Sequence, residues 1–174
     1  YVSEIGEKDK DGDGKIRKID KKGNITPFAT GLYDPKGIVF YKKKLYVTDR
    51  DVIIEVDTDG TWSVFGATMA FPKTPVFLND IDVDSNGNFY ITDTGNFETG
   101  GIVFKMNLAG DITVLFDETT ENNKAPNGVL LIENNKLLLV DWGGELFEAD
   151  TKTKKIKKIG EGFPGGDGLA IKNG

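Results

Sequence analysis

The chain has 174 residues with 22 basic and 28 acidic side chains, so it forms one domain or two small ones and carries a net charge of −6. The acidic balance argues against a nucleic-acid partner, because phosphate contacts need clustered Lys and Arg. No apolar run approaches the ~20 residues of a membrane helix, so no membrane partner is expected. Cys and His are both absent, which excludes disulfides, thiol catalysis, imidazole metal sites and Ser-His-Asp triads. Chemistry must therefore come from carboxylates, amides, Lys, Tyr, hydroxyls or a bound hard cation.

Two recurring segments indicate internal repeats. An apolar run that ends in aspartate occurs three times, and Asp49, Asp93 and Asp141 are 44 and 48 residues apart. A second segment precedes each run and occurs once more near the end, with steps of 43, 48 and 40 residues between its anchor positions, which are Lys36, Asn79, Asn127 and Asp167. Further runs rich in Val, Ile, Tyr and Phe follow, separated by turn sequences such as Asp59-Gly60. Four strands in a repeat of about 43 residues predict an all-β fold, a β-propeller of four-stranded antiparallel blades.

The strand order bears on how the ring closes. We name the strands of one repeat A to D. The first repeat begins at strand B with residues 1–4, three full repeats follow, and residues 168–171 are expected to form a lone strand A. The order BCD-ABCD-ABCD-ABCD-A makes residues 1–174 a single propeller domain with four blades. It permits a four-bladed ring in which the last strand completes the first blade, and equally a part of a larger, six-bladed ring.

The chain begins without Met and without a signal-peptide pattern, which suggests processing or truncation upstream. The absence of cysteine suits a secreted or periplasmic protein without disulfides as well as a cytosolic one.

The longer loops are expected on one face. Strands alternate in direction, so the D-to-A and B-to-C loops share a face, which we call the top face and expect to carry function. Strand A is innermost in a propeller, so the anchor positions should converge at the top mouth of the central channel. The oxygens of Asn79, Asn127 and Asp167 would suit Ca²⁺, Mg²⁺ or Mn²⁺, whereas turn formation before strand A is the alternative role. Trp142, in a top-face loop, is a candidate for stacking on a sugar ring, with packing against the neighbouring blade as the alternative.

A second candidate cation site lies near the start of the chain. Asp9, Asp11 and Asp13, followed by Gly14, have the spacing of a calcium-binding loop. The loop joins strand B to strand C, so no helices flank it and it is not an EF-hand. Asp20, the twelfth residue from Asp9, is expected to end strand C. We predict bound Ca²⁺ here, with a solvated acidic turn as the alternative.

The repeats resemble those of NHL-type and gluconolactonase-like propellers, the superfamily that includes senescence-marker-protein lactonases. The resemblance is carried by Leu78-Asn79-Asp80, Ala125-Pro126-Asn127-Gly128 and Gly166-Asp167-Gly168. It implies that Asn127 and Asp167 bind a divalent cation, Ca²⁺ in the first place, that Asn79 lies near the substrate and that Asp167 is the catalytic base. Family lactonases are six-bladed and take a further metal ligand from a Glu-Gly-Pro segment, which this sequence lacks. In a four-bladed ring the fourth inward position would be Lys36, whose charge would repel a metal.

Two functional hypotheses follow. The first is a metal-dependent lactonase-like hydrolase acting on a sugar lactone or similar ester. The second is a non-catalytic NHL-type module that binds a protein or glycan on its top face and carries only a structural calcium loop. Asp49, Asp93 and Asp141 recur at one repeat position, which is more typical of a hydrogen bond that caps a turn than of catalysis.

Overall fold

The computed structural model describes residues 1–7, 10–133 and 135–171, and within them the chain is all-β apart from a short 3₁₀ turn at Thr68–Ala70. Four antiparallel sheets follow one another along the chain, the first with three strands and the others with four. The strands are β1 (Val2–Glu4), β2 (Gly14–Ile19), β3 (Ile25–Leu32), β4 (Pro35–Tyr41), β5 (Lys44–Asp49), β6 (Val52–Val56), β7 (Trp62–Gly66), β8 (Leu78–Val83), β9 (Phe89–Asp93), β10 (Ile102–Met106), β11 (Ile112–Phe116), β12 (Pro126–Glu133), β13 (Lys136–Asp141), β14 (Glu145–Asp150) and β15 (Lys155–Glu161). The predicted β-propeller is confirmed, with β4, β8 and β12 as the first strands of the second, third and fourth blades. The described part of the chain holds no helix long and apolar enough to span a membrane.

The packing between blades explains why the central strands are apolar on both faces. Alternate residues of a strand point to opposite sides of its sheet. In β5, Leu45 and Val47 pack towards the first blade, whereas Tyr46 packs towards the third. In β9, Phe89 and Ile91 join the core on one side and Tyr90 joins the core on the other. Because each such sheet lies between two others, a continuous apolar run replaces the usual alternation.

The recurring aspartates cap the loops that lead into the inner strands. Asp93 accepts hydrogen bonds from the backbone amides of Val76 at 2.7 Å, Phe77 at 2.8 Å and Gly95 at 2.9 Å. Asp141 accepts in the same way from the amides of Ala125 and Gly143. The interpretation of this repeat position as a turn cap is therefore confirmed.

The expected sixteenth strand is not formed. Residues 168–171 belong to no sheet, and β1 pairs with β2 alone. A strand is defined by its backbone hydrogen bonds to a neighbouring strand, and residues 168–171 make no such ladder with β1. The preceding segment turns instead, with the amide of Gly166 donating to the carbonyl of Phe163 at 2.7 Å. Within the described residues, the first blade accordingly has three strands.

Candidate functional site

The predicted site residues come together around one cavity. Its volume is about 760 Å³, and its walls come from the first and last parts of the chain as well as from the two middle blades. Four residues selected from the sequence line it, namely Asn79, Asn127, Trp142 and Asp167, and the anchor Lys36 lines it as well. These side chains are up to 131 positions apart in sequence (36 to 167), so the propeller fold itself brings them to one place.

An irregularity at the start of each inner strand sets the direction of these side chains. The pairing register shifts between Pro35 and Ile38, between Leu78 and Ile81, and between Pro126 and Gly128. Such bulges re-aim the side chains of the extra residues. The anchors Lys36, Asn79 and Asn127 lie within the three shifts, which places them at the cavity rather than in the ladder.

Asn79 and Asn127 form a buried amide pair. Asn127 is fully buried and Asn79 is 7% exposed. The Nδ2 group of Asn79 donates to Oδ1 of Asn127, and the buried Thr94 hydroxyl lies 3.3 Å from the same Oδ1. Nδ2 of Asn127 donates to the carbonyl of Gly166 at 2.6 Å. Because Gly166 directly precedes Asp167, this bond ties the segment that carries Asp167 to β12.

A glycine makes room for Asp167. A Cβ added at Gly128 would lie 2.3 Å from the carbonyl oxygen of Asp167, so a larger residue there would displace this segment. The side chain of Asp167 makes no hydrogen bond or ion pair with the described residues. It is exposed at the cavity and available to a ligand.

Asp80 is a site residue whose separate role sequence reasoning missed. Its carboxylate accepts hydrogen bonds from the amides of Val129 and Ile81, both at 2.9 Å. Burial, with a smaller contribution from the nearby charge of Asp167, raises the pKa of Asp80 to about 6 against those hydrogen bonds. The mouth of the cavity thus holds two carboxylates that repel each other. Asp80 occupies the repeat position at which the other repeats have glycine, namely Gly37, Gly128 and Gly168. This difference is the feature of the sequence from which its role could have been predicted.

Lys36 is held by its own neighbours. Its ammonium forms an ion pair with Asp34 and lies 4.3 Å from the ring centroid of Phe77. The side chain is 10% exposed. Asp34 therefore offsets the positive charge that was expected to oppose a cation at the mouth.

Phe77, Phe97 and Trp142 form a group of neighbouring rings at the same cavity, and only Trp142 among them was identified from the sequence. The ring centroids of Phe77 and Phe97 are 4.7 Å apart, and those of Phe97 and Trp142 are 5.1 Å apart. Trp142 is 42% exposed. No repeat position links Phe97 to the other two, so only the packing of neighbouring loops reveals this group, which we call the aromatic row.

The Asp-rich loop is separate from the cavity. Asp9 lies outside the described residues. Asp11 forms an ion pair with Arg50, and Asp13 accepts a hydrogen bond from the amide of Glu7 at 3.0 Å, while its Oδ1 is buried and has no hydrogen-bond partner among the described residues. Asp20 follows β2 and caps the next turn by accepting from Lys22 and Asn24, as expected for the end of strand C.

The oxygen atoms at the mouth are of the kind that a hard divalent cation takes, and Oδ1 of Asn127 would have to exchange its hydrogen bonds from Asn79 and Thr94 for the cation. Within residues 1–7, 10–133 and 135–171, no group of three or more His, Cys, Asp or Glu side chains suits a metal. A cation would instead need the amide oxygens of Asn79 and Asn127 together with Asp167, with the charge of Asp80 nearby. These are the oxygen ligands that Ca²⁺ and Mg²⁺ take. A cation would also relieve the repulsion between the two carboxylates.

Solved structures share this architecture at low sequence identity. An X-ray structure described as a "putative gluconolactonase" matches with a TM-score of 0.69 and 16% identity, over 90% of this chain and 60% of that one. The computationally designed Ika4 protein matches with a TM-score of 0.55 and 12% identity, over 80% of both chains. The extracellular domain of a "putative one component system" from B. thetaiotaomicron matches with a TM-score of 0.55 and 18% identity, over 85% of this chain and 24% of that one. The chain thus spans about three fifths of the gluconolactonase structure.

No curated protein matches the chain. The model of the SMP-30/gluconolactonase/LRE-like region matches residues 7–162, which is most of the sequence. The chain therefore belongs to the SMP-30/gluconolactonase/LRE-like family.

Proposed function

We propose that the cavity binds a divalent cation and hydrolyses a sugar lactone or a similar ester. The supporting observation is that Asn79, Asn127 and Asp167, which belong to three different repeats, line one cavity mouth. Asn127 and Asp167 would hold the cation, with Ca²⁺ expected first and Mg²⁺ or Mn²⁺ as alternatives. Membership of the family supports the same chemistry.

The residues have distinct roles in this proposal. The bound cation would supply Lewis-acid polarisation of the lactone carbonyl. Asp167, whose carboxylate makes no hydrogen bond or ion pair with the residues that the structure describes, would take the proton of the attacking water. Asn79 would hold the substrate through its amide, and its contact with Asn127 would keep that amide at the mouth.

Replacement of Asp167 tests the proposal. We expect Ca²⁺-dependent proton release from glucono-δ-lactone, and a loss of about 100-fold or more in kcat/KM in Asp167→Asn, the size typical of a general base. Asp11→Asn is the matched control, because Asp11 lies in the separate Asp-rich loop. Turnover that survives in Asp167→Asn, or that does not respond to chelation of the metal, would contradict the proposal.

A pair of glycine variants tests the positioning of Asp167 without altering its carboxylate. Gly128→Ala places a methyl group against the Asp167 backbone, so we expect lower turnover and weaker Ca²⁺ binding by calorimetry. Gly168→Ala is the control, because a Cβ there meets no atom of the described residues within 4 Å. Equal losses in both variants would point to general damage to this segment.

A non-catalytic module with a structural calcium loop is the second candidate. The buried Oδ1 of Asp13, which has no hydrogen-bond partner in the described part of the chain, favours it, because such an oxygen would gain from a cation. Asp9, Asp11 and Asp13 would be the ligands, and the top face would bind a protein or glycan partner. Ca²⁺ binding lost in Asp13→Asn and retained in Asp167→Asn, without turnover of any lactone, would favour this function.

A further inference from the structure

The aromatic row gives the cavity an apolar side beside its polar mouth. The ring of Phe97 contacts those of Phe77 and Trp142, and all three residues line the 760 Å³ cavity. Val2 and Ile5 add further apolar surface to the lining. A cavity of this size accepts a ligand well beyond a single small ring, and its lining combines apolar walls with a few polar groups, as ligand pockets usually do.

Phe97 is held in an unusual backbone conformation. Its φ is +71°, a left-handed value that bulky residues rarely adopt. The turn around it is built by Asn96, whose Oδ1 accepts from the amides of Glu98 at 3.0 Å and Thr99 at 2.7 Å. Gly or Asn would suit the conformation better, yet this position carries a large ring that reaches the cavity. Strain of this kind is typical of functional positions.

The rings differ in their availability to a ligand. Lys36 already lies over the ring of Phe77, whereas Trp142 is 42% exposed and no described cation lies over it or over Phe97. A ligand at the mouth would therefore meet Phe97 and Trp142. Of the two rings, only Trp142 carries a hydrogen-bonding group, its indole Nε1–H, so most hydroxyls of a sugar packed against them would exchange water for apolar surface. A flat apolar group would instead gain ring contacts with both side chains.

We propose that the preferred substrate is a lactone or ester that carries an aromatic group, packed on Phe97 and Trp142 with its carbonyl at Asn79, Asn127 and Asp167. This inference rests on the proposed function, because the carbonyl is placed by the proposed catalytic residues. It makes Phe97 and Trp142 specificity-determining residues.

Binding of non-hydrolysable analogues separates this inference from catalysis. Isoindolin-1-one and pyrrolidin-2-one are five-membered lactams that differ by a fused benzene ring. We expect the Ca²⁺-loaded protein to bind the aromatic lactam about tenfold more tightly in calorimetry. Phe97→Ala and Trp142→Ala should each reduce this preference. Phe40→Ala is the control, because Phe40 is exposed and lies outside this cavity.

A second variant at the same position separates the loss of the ring from damage to the fold. Phe97→Gly removes the ring and suits the positive φ, so we expect the preference to fall while the melting temperature stays the same or rises. An unchanged preference in Phe97→Gly and Trp142→Ala would overturn the inference.

The matching lactones, phthalide and γ-butyrolactone, separate failure of the two proposals. A preference for the aromatic lactam without turnover of either phthalide or glucono-δ-lactone would leave the binding subsite standing and defeat the hydrolase proposal. Turnover of glucono-δ-lactone without any preference for the aromatic lactam would support the hydrolase and overturn this inference.

Discussion

Two carboxylates on one inner strand satisfy backbone amides of the next. Asp80 accepts from the amide of Val129 at 2.9 Å, and Asp82 accepts from the amide of Leu131 at 2.6 Å. The inner edge of β12 thus finds partners in side chains of β8 where no further strand supplies them. Burial raises the pKa of both carboxyl groups, because their charged forms lose contact with water. These interblade contacts therefore combine useful hydrogen bonds with costly buried charge.

The pH dependence of Asp82→Asn should reveal that cost. Because the folded-state pKa is raised, the contribution of Asp82 to stability is full below its unfolded pKa, near 4, and is lost as pH rises through the folded value. Asparagine keeps an acceptor oxygen and removes the charge. We therefore expect the unfolding free energy of the variant minus that of the wild type, measured by urea unfolding, to become more positive from pH 4 to pH 7.

Asp59→Asn is the matched control with the opposite sign. Asp59 lies in an exposed turn, where hydrogen bonds from the hydroxyl and amide of Thr61 lower its pKa. That variant should lose stability relative to wild type as pH rises. If the difference in unfolding free energy between Asp82→Asn and wild type does not change with pH, the assignment of a buried charge to Asp82 is contradicted.

At the scale of the strand, a hydroxyl joins successive blades at one repeat position. Ser3, Thr48 and Thr92 donate to the carbonyls of Lys36, Asn79 and Asn127, at 2.6, 2.5 and 2.5 Å respectively. Thr48 and Thr92 also accept from an amide of the inner strand of their own blade. Each hydroxyl therefore fixes a bulge that carries a site residue. The fourth blade has Val140 at this position, so it cannot make the bond to the segment of Asp167.

Thr92→Val should lower the unfolding free energy substantially, although Thr and Val have nearly the same shape. The change keeps the shape and removes the hydroxyl from between the amide of Asp80 and the carbonyl of Asn127, both at buried or partly buried positions. Removing one partner of buried polar groups costs about 1–3 kcal/mol for each. We expect a loss of about 2 kcal/mol or more in chemical unfolding.

Thr113→Val provides the comparison on an exposed strand position, where surface substitutions stay within about 0.5 kcal/mol. Similar losses of unfolding free energy in both variants would mean that the hydroxyl bridge between blades does not add to stability.

At the scale of the molecule, burial is concentrated in the third blade. Every residue of β9 is buried, because this strand lies between the cores on either side of its sheet. The residues of β1 are exposed or half-buried, and β1 has a ladder partner on one side. Local opening free energies follow such differences in burial and pairing.

Hydrogen exchange should follow this gradient. We expect the amides of β9 and β10 to exchange slowest and those of β1 and of residues 163–171 to exchange fastest. Peptide-resolved exchange monitored by mass spectrometry measures it. Uniform protection from β1 to β15 would contradict this distribution and would indicate that all blades open as one cooperative unit.

Much of the site was predictable because its residues occupy repeat positions. Asn79, Asn127 and Asp167 align with one another, so finding the repeat was enough to find the cavity mouth. Phe97 could not be found in this way, because its position depends on how one loop lies against its neighbours. Asp80 was visible only as a departure from glycine at its repeat position, and its hydrogen bond to Val129 joins residues 49 positions apart.

The sequence by itself determined the all-β blades, their order and the residues that precede each inner strand, because these depend on local apolar runs, turn residues and a regular spacing. Only the tertiary structure decided that residues 168–171 do not pair with β1, that Asp34 holds the charge of Lys36, and that three aromatic rings meet beside Asp167. The reason is that contacts between separate loops depend on three-dimensional packing that no local pattern encodes. The fold was therefore readable from the chain, whereas the shape and polarity of its cavity were not.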